Sequence, residues 1–307
     1  MSEGPEVKII ADKIRIALGN NKTIENIFCN SVDEKIKSKI IGSSMEYVQT
    51  FGKNIVIKFS FGVYLRNHMM MWGKWRIYDR EEYDNGLAKS PLTRRFFHWK
   101  NKDNYADTKE VIQKQKIQKD VRSDPKVRLI IITSNNVLVQ FSGPILQFTT
   151  DDPASKEPIR SLGPDGLSND FDMAKVKSNL KYKSMKNTNL LIADALLDQQ
   201  IVSGIGNIYK SEILFLNKIY PFKKVNSLSG YDLNKIINDI PNVLCRGYRN
   251  NGKTHLLLDN EKPSWNTTHW VFRRTGKPCW ICSTRISSEK KITTRSTFWC
   301  PLCQLYQ

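Results

Sequence analysis

Four of the six cysteines fall into two C-x-x-C pairs, Cys279 with Cys282 and Cys300 with Cys303, on either side of a stretch rich in turn-forming and charged residues. Two such knuckles at this spacing close one tetrahedral site, so the chain end is constrained to bring four thiolates to a point around a single structural zinc ion. Adjacent C-x-x-C pairs would make poor disulfides. The first residues also lack the apolar core of a secretory signal, so the protein is expected to stay inside the cell, cytoplasm or nucleus, where thiols are reduced. Cys29 and Cys245 stand alone and read as small buried hydrophobes.

A formal charge of +18 and a pI near 9.6 imply a polyanionic partner, and no apolar run approaches the length of a membrane span. With 307 residues, 40% of them hydrophobic, the chain is long enough for two domains and a small appendage.

The apolar positions Val7, Ile10, Ala11, Ile14, Ala17 and Leu18 recur at helical spacing, with Gly19 as the stop. Segments with period-two alternation follow: "NIVIKFS", "GVYLRNH", "WRIYD", "VRLIIIT" and "NVLVQFSGPILQF". The first half therefore reads as a helix followed by a β-sandwich or barrel to about residue 150. Residues 81–126, polar and basic without clear periodicity, read as an exposed insertion. The Pro, Asp and Gly of "DDPASKEPIRSLGPDG" mark a linker. Beyond it the chain reads helical, with two apolar helical segments around "SGIGN" in which Gly204 and Gly206 break the first and Asn207 opens the second. Amides exposed at such a helix start form a seat for phosphate.

The chain opens "MSEGPEV", with Glu3 directly ahead of a Gly4-Pro5 pair that fixes the start of the first helix. Taken together, "EGPEV", "GKN" at 52–54, "RNHMMMWGKWRI", "LGPDGL", "LLDQQIVSGIGNIYKSEILF" and the terminal "GKPCWIC" to "RSTFWCPLCQ" resemble the formamidopyrimidine-DNA glycosylase and endonuclease VIII family over nearly the whole length. The resemblance implies an α+β multidomain fold: an N-terminal helix plus β-sandwich over 1–150, a linker at 151–163, a helix–two-turn–helix domain over 164–262, and a zinc ribbon over 263–307. It also implies a monomeric enzyme that acts on DNA containing oxidised bases or abasic sites.

The resemblance assigns the chemistry residue by residue. With the initiator methionine removed, the α-amine attacks C1′ of the damaged nucleotide and forms a Schiff base, and an amine with pKa near 8 suits that role. Ser2 stands where the family's nucleophile is usually proline. Its primary amine forms the same imine, but one that can lose its charge, so lyase chemistry is expected to be weaker or more pH-sensitive. Glu3 would shuttle protons. Lys53 resembles the lysine that contacts a phosphate beside the lesion and assists catalysis. Asn207 and Arg295 resemble the other two phosphate ligands.

Met70, Met71 and Trp72 match the segment that fills the hole left by the flipped base, where apolar wedges replace lost stacking. Met69 to Trp72 would otherwise read as a buried strand, with alternation placing two of the four on the opposite face. The glycine-bearing recognition loop of guanine-directed relatives is not evident between Tyr220 and Arg273, which favours oxidised pyrimidines. The alternative is a catalytically weakened or non-catalytic damaged-DNA-binding protein of the same fold.

Overall fold

The computed structural model describes residues 2–19, 22–90, 119–255, 268–290, 293 and 295–305. Helix α1 (Gly4–Leu18) carries the expected apolar stripe: Val7, Ala11, Ile14 and Leu18 are all buried. Gly19 ends it at φ +60°, its amide closing onto the Arg15 carbonyl. Strand β1 (Ile24–Phe28) and the short helix α2 (Glu34–Ile40) come next, the latter capped by the Asp33 carboxylate, which accepts the Ile36 N–H at 2.9 Å.

Seven further strands complete two antiparallel sheets. They are β2 (Met45–Phe51), β3 (Asn54–Phe59), β4 (Val63–His68), β5 (Lys74–Asp79), β6 (Val127–Thr133), β7 (Asn136–Phe141) and β8 (Ile145–Thr149). One sheet has the order β1-β6-β7-β5 and the other β2-β3-β4-β8. Ile55, Ile57, Leu65, Leu129, Ile131 and Leu138 fill the space between them together with the inner stripe of α1. Each such aliphatic side chain contributes about 1.5–3 kcal/mol on burial.

Alternation puts Ile130, Ile132, Val137 and Val139 on the other face of the first sheet, and that face is covered too. Its cover comes from the segment expected to be an exposed insertion. Helix α3 (Arg80–Asp84) brings Tyr83, and Ala88 and Val121 join it in the same buried cluster. Three apolar residues spaced through a polar stretch carry no period, yet they suffice to cap an apolar sheet face. Residues 91–118 of that stretch lie outside the described residues.

The second half is helical: α4 (Met173–Lys186), α5 (Ile192–Ala195), α6 (Asn207–Leu216) and α7 (Gly230–Arg249). The apolar segment ahead of "SGIGN", expected to be a helix, forms only the single turn of α5 and then a series of turns. The Gln199 side chain explains the difference, because its Nε2 donates to the Leu197 and Ile205 carbonyls at 2.8 and 2.9 Å and satisfies backbone groups that a helix would have paired. Leu196, Ile201, Val202 and Ile205 are nevertheless fully buried, which is why the sequence looks helical there.

Helix α1 is the wall shared by the two halves. It packs on both β2 and α7, and the Tyr248 hydroxyl on α7 donates to Asp12 Oδ2 at 2.6 Å. The chain ends in a two-stranded ribbon, β9 (Ser287–Glu289) against β10 (Thr297–Trp299). Among the described residues no helix is long and apolar enough to cross a membrane.

Candidate active site

The front of α1 meets the front of α6. Glu3, only 1% exposed, sits at the N-terminus of α6, where its Oε1 accepts the Ile208 amide at 2.9 Å and its Oε2 the Tyr209 amide at 3.2 Å. Gly206, the residue that caps α6, makes this contact possible: a Cβ there would fall 2.3 Å from the Glu3 carboxyl carbon. A helix N-terminus favours an anion. Burial outweighs it, and the Glu3 pKa is pushed up from 4.5 to about 7 although Lys53 and the two amides act in the opposite direction. Glu6, one turn along α1, accepts the Glu3 N–H at 3.0 Å and the Tyr209 hydroxyl at 2.7 Å. Burial raises its pKa as well, and its charge is among the influences that raise Glu3. Ser2, partly buried, immediately precedes this pair.

Lys53 reaches the site from the two-residue hairpin between β2 and β3, in which Gly52 takes φ +58°. Burial lowers its pKa, the Glu3 charge raises it, and the Arg295 charge lowers it again. His68, at the end of β4, is also held below its ordinary pKa by burial and by Lys53.

Asn207 is the first residue of α6. Its side chain ties α6 to the ribbon, with Nδ2 donating to the Ser296 carbonyl at 2.8 Å while Oδ1 accepts from Lys210 Nζ at 2.8 Å. Arg295 is exposed beside Ser296, and its carbonyl accepts the Thr293 and Thr297 hydroxyls at 2.6 and 3.1 Å. The fold therefore brings Glu3, Lys53, Asn207 and Arg295 into one neighbourhood. Sequence reasoning missed Lys210. It is fully buried, its Nζ also donates to Thr297 Oγ1 at 2.8 Å, and burial lowers its pKa to about 8. The seven consecutive residues Tyr209–Phe215 of α6 are all buried, so no amphipathic pattern distinguishes Lys210 from a surface lysine.

Residues 69–72 form a turn between β4 and β5, which lie in different sheets, rather than the buried strand they would otherwise read as. Met69 alone points inward, 1% exposed, whereas Met70, Met71 and Trp72 are 44%, 47% and 64% exposed. Met70 holds φ +51°, unfavourable for a residue with a Cβ, and its amide donates to His68 Nδ1 at 3.1 Å. That bond needs an unprotonated Nδ1, the form that burial and the Lys53 charge favour.

The four ribbon cysteines converge. Cys282 Sγ lies 3.4 Å from the sulfurs of both Cys300 and Cys303, Cys279 Sγ lies 3.8 Å from that of Cys303, and all four fall within 4.8 Å of one another. Four thiolates at about 2.3 Å from one zinc stand about 3.8 Å apart, so the spacing suits a tetrahedral ion and is far beyond the ~2.05 Å of a disulfide. The ribbon is anchored by Glu212 of α6. Its carboxylate is fully buried and accepts the amides of Trp270, Val271 and Phe272 at 2.8, 3.0 and 3.0 Å, as well as the Thr254 hydroxyl.

Two family models match the chain: the formamidopyrimidine-DNA glycosylase N-terminal domain over residues 1–129, and the formamidopyrimidine-DNA glycosylase H2TH domain over 162–257. The protein is 26% identical to Endonuclease 8 from Escherichia coli O17:K52:H18 (strain UMN026 / ExPEC) over 99% of this chain and 100% of that protein. It is 37% identical to formamidopyrimidine-DNA glycosylase from Prochlorococcus marinus (strain NATL2A), over 48% of this chain and 51% of that protein. The fold matches that of Lactococcus lactis formamidopyrimidine-DNA glycosylase, solved non-covalently bound to DNA containing an abasic site, with a TM-score of 0.72 and 21% identity over 99% of this chain and 100% of that one. This chain belongs to the formamidopyrimidine-DNA glycosylase and endonuclease VIII family.

Proposed function

We propose that this protein is a bifunctional DNA glycosylase and abasic-site lyase of base excision repair, working inside the cell as a monomer on oxidised bases, pyrimidines foremost. Family membership supports the glycosylase activity. The single observation that carries the rest is the state of Glu3: a buried carboxyl with pKa about 7, next in the chain to Ser2. Near neutral pH such a group is present as both acid and base, as proton transfer at a sugar requires.

In this reading Met1 is removed and the Ser2 α-amine attacks C1′. The C1′–N bond to the base breaks as the new C1′–N bond forms. Glu3 in its acid form gives a proton to the sugar ring oxygen as the ring opens, one amine proton goes to the departing base, and the other stays on the nitrogen of the protonated Schiff base. As a carboxylate Glu3 then takes the proton from C2′ while the C3′–O bond breaks and the 3′ phosphate leaves. Lys53, Asn207 and Arg295 hold phosphates of the displaced nucleotide, with Lys53 also favouring the ionised form of Glu3. Met70, Met71 and Trp72 enter the duplex where the base has left. Cys279, Cys282, Cys300 and Cys303 hold one structural zinc, which keeps the turn bearing Arg295 in place.

Borohydride reduction in the presence of duplex DNA with an abasic site tests this. A covalent adduct should form and map by mass spectrometry to the Ser2 α-amine of protein lacking Met1. Retained methionine would displace the free amine by about 3.8 Å, too far for an attack that needs atoms roughly 3–3.5 Å apart. An adduct on Lys53, or undiminished trapping after N-terminal acetylation, would overturn the assignment.

A further inference from the structure

Three stretches of backbone from distant parts of the chain meet behind the site. The Gly4 amide donates to the Gly204 carbonyl at 2.8 Å, and the Gly52 amide donates to Asp165 Oδ2 at 2.7 Å. Asp165 lies in the "GPDG" turn, alongside Ser203 in a parallel bridge, and its Oδ1 accepts the Leu167 amide at 2.9 Å. The approach is close enough to exclude side chains, since a Cβ on Gly52 would lie 2.9 Å from the Ser203 Cβ and 3.2 Å from the Gly204 amide nitrogen. Gly4 adjoins Glu3 and Gly52 adjoins Lys53. The residues next to both reacting groups of the N-terminal half are therefore pinned to one strip of the helical half, 164–204.

We infer that Asp165 is a positioning residue that seats Lys53 against Glu3, by holding the Gly52 amide and with it the turn that aims the Lys53 side chain. The inference rests on the functional reading above. The Phe51–Asn54 pair closes the hairpin from within, with Asn54 Nδ2 donating to the Phe51 carbonyl at 3.1 Å, whereas Asp165 ties its tip to the helical half, and the tip adopts the side chain direction that the backbone at Gly52 allows. The carboxylate suits this role because its two oxygens accept two amides at once. An asparagine would accept one amide and present an N–H to the other, so Asp165→Asn removes the seat with almost no change in volume.

The test uses the full-length protein and DNA with a preformed abasic site. Asp165→Asn should lower the single-turnover cleavage rate by roughly 10- to 100-fold, the cost of misplacing a reacting group by about 1 Å, while DNA affinity falls by far less. An amine-reactive reagent should label Lys53 faster in the variant, with the buried Lys210 unchanged as the internal control. Gly52→Ala should show the same pattern, and adding Ser203→Gly, which removes the side chain that the new methyl strikes, should restore part of the rate. Folded Asp165→Asn protein with wild-type cleavage and wild-type Lys53 labelling would overturn the inference alone. Failure of the wild-type protein to cleave or to trap would instead sink the functional reading, and the labelling comparison would still decide whether Asp165 seats Lys53.

Discussion

Glu3 and Ile208 stand 205 positions apart in the chain, yet the carboxylate of one accepts the amide of the other at 2.9 Å. The residue before Ile208 is Asn207, whose side chain reaches the ribbon. One helix start thus holds the proposed proton-transfer group from the first domain and positions a proposed phosphate ligand against the third. No domain contains the site by itself. It exists because α1 and the ribbon both dock on α6.

The ionisation of Glu3 should be visible in folding stability. A carboxyl whose pKa is higher in the folded state binds its proton more tightly there, so its contribution is full below about pH 4.5 and is lost as pH rises through about 7. Relative to Glu3→Gln, which does not titrate, the wild-type protein should lose about 3 kcal/mol across that window. Urea unfolding at pH 5 and pH 8 measures the difference. Parallel pH dependences in the two proteins would mean that Glu3 titrates normally. The same variant should stop base removal far more than it weakens DNA binding, because the amide keeps the shape of the acid but cannot transfer its proton.

Met70, Met71 and Trp72 project from the turn while Met69 fills the core, so truncation should separate their roles. Alanine at any of the three exposed positions should slow base excision from duplex DNA but spare cleavage at a preformed abasic site, where there is no base to extrude and no unstacking of a few kcal/mol to offset. Stability should change by less than about 0.5 kcal/mol at the exposed Met70 and Met71. Met69→Ala should cost about 2–5 kcal/mol of stability, as for other buried methionines. Equal losses on both substrates from the exposed-site variants would point to a folding defect.

The sequence disclosed the parts of this site that are written as local motifs. Helix α1, most strands of the sandwich and the cysteine pairs follow from periodicity and spacing, and the structure adds that the four sulfurs converge. What escaped was long-range burial. Asp165, Lys210 and Glu212 are ordinary charged residues in sequence, and only the fold makes them anchors for Gly52, Asn207 and the ribbon amides. At "HMMMW" strand alternation does not run on through the turn, and the segment before "SGIGN" misled because full burial resembles a helix face. In both places a backbone hydrogen bond to a side chain, from Met70 to His68 and between Gln199 and its neighbours, replaced the regular pairing that the pattern suggested.

The ribbon should depend on its metal and on Glu212 independently of each other. Metal analysis of folded protein should find one zinc per chain, and replacing any of the four cysteines should lower DNA affinity by misplacing Arg295. Glu212→Gln should leave zinc in place yet destabilise the protein by about 1–3 kcal/mol or more, because the buried amides of Trp270, Val271 and Phe272 lose a charged acceptor. Zinc content and urea midpoints on the same samples check both claims. A Glu212→Gln protein as stable as the wild type would show that the ribbon docks without that carboxylate.

Arg295 offers the most direct reading of phosphate contact. Arg295 is an exposed residue, and its carbonyl accepts the Thr293 and Thr297 hydroxyls. Arg295→Gln removes the charge and keeps a polar side chain of similar reach. Binding to duplex DNA over a series of salt concentrations should become less salt-dependent, the slope of log affinity against log salt flattening by about 0.9, which is the release of counterions from one phosphate. Lys210→Met should act differently, because that ammonium is fully buried and donates to Asn207 and Thr297. Its loss should weaken binding by loosening Asn207 while leaving the slope closer to that of the wild type. An Arg295→Gln slope equal to that of the wild-type protein would remove the guanidinium from the phosphate contacts.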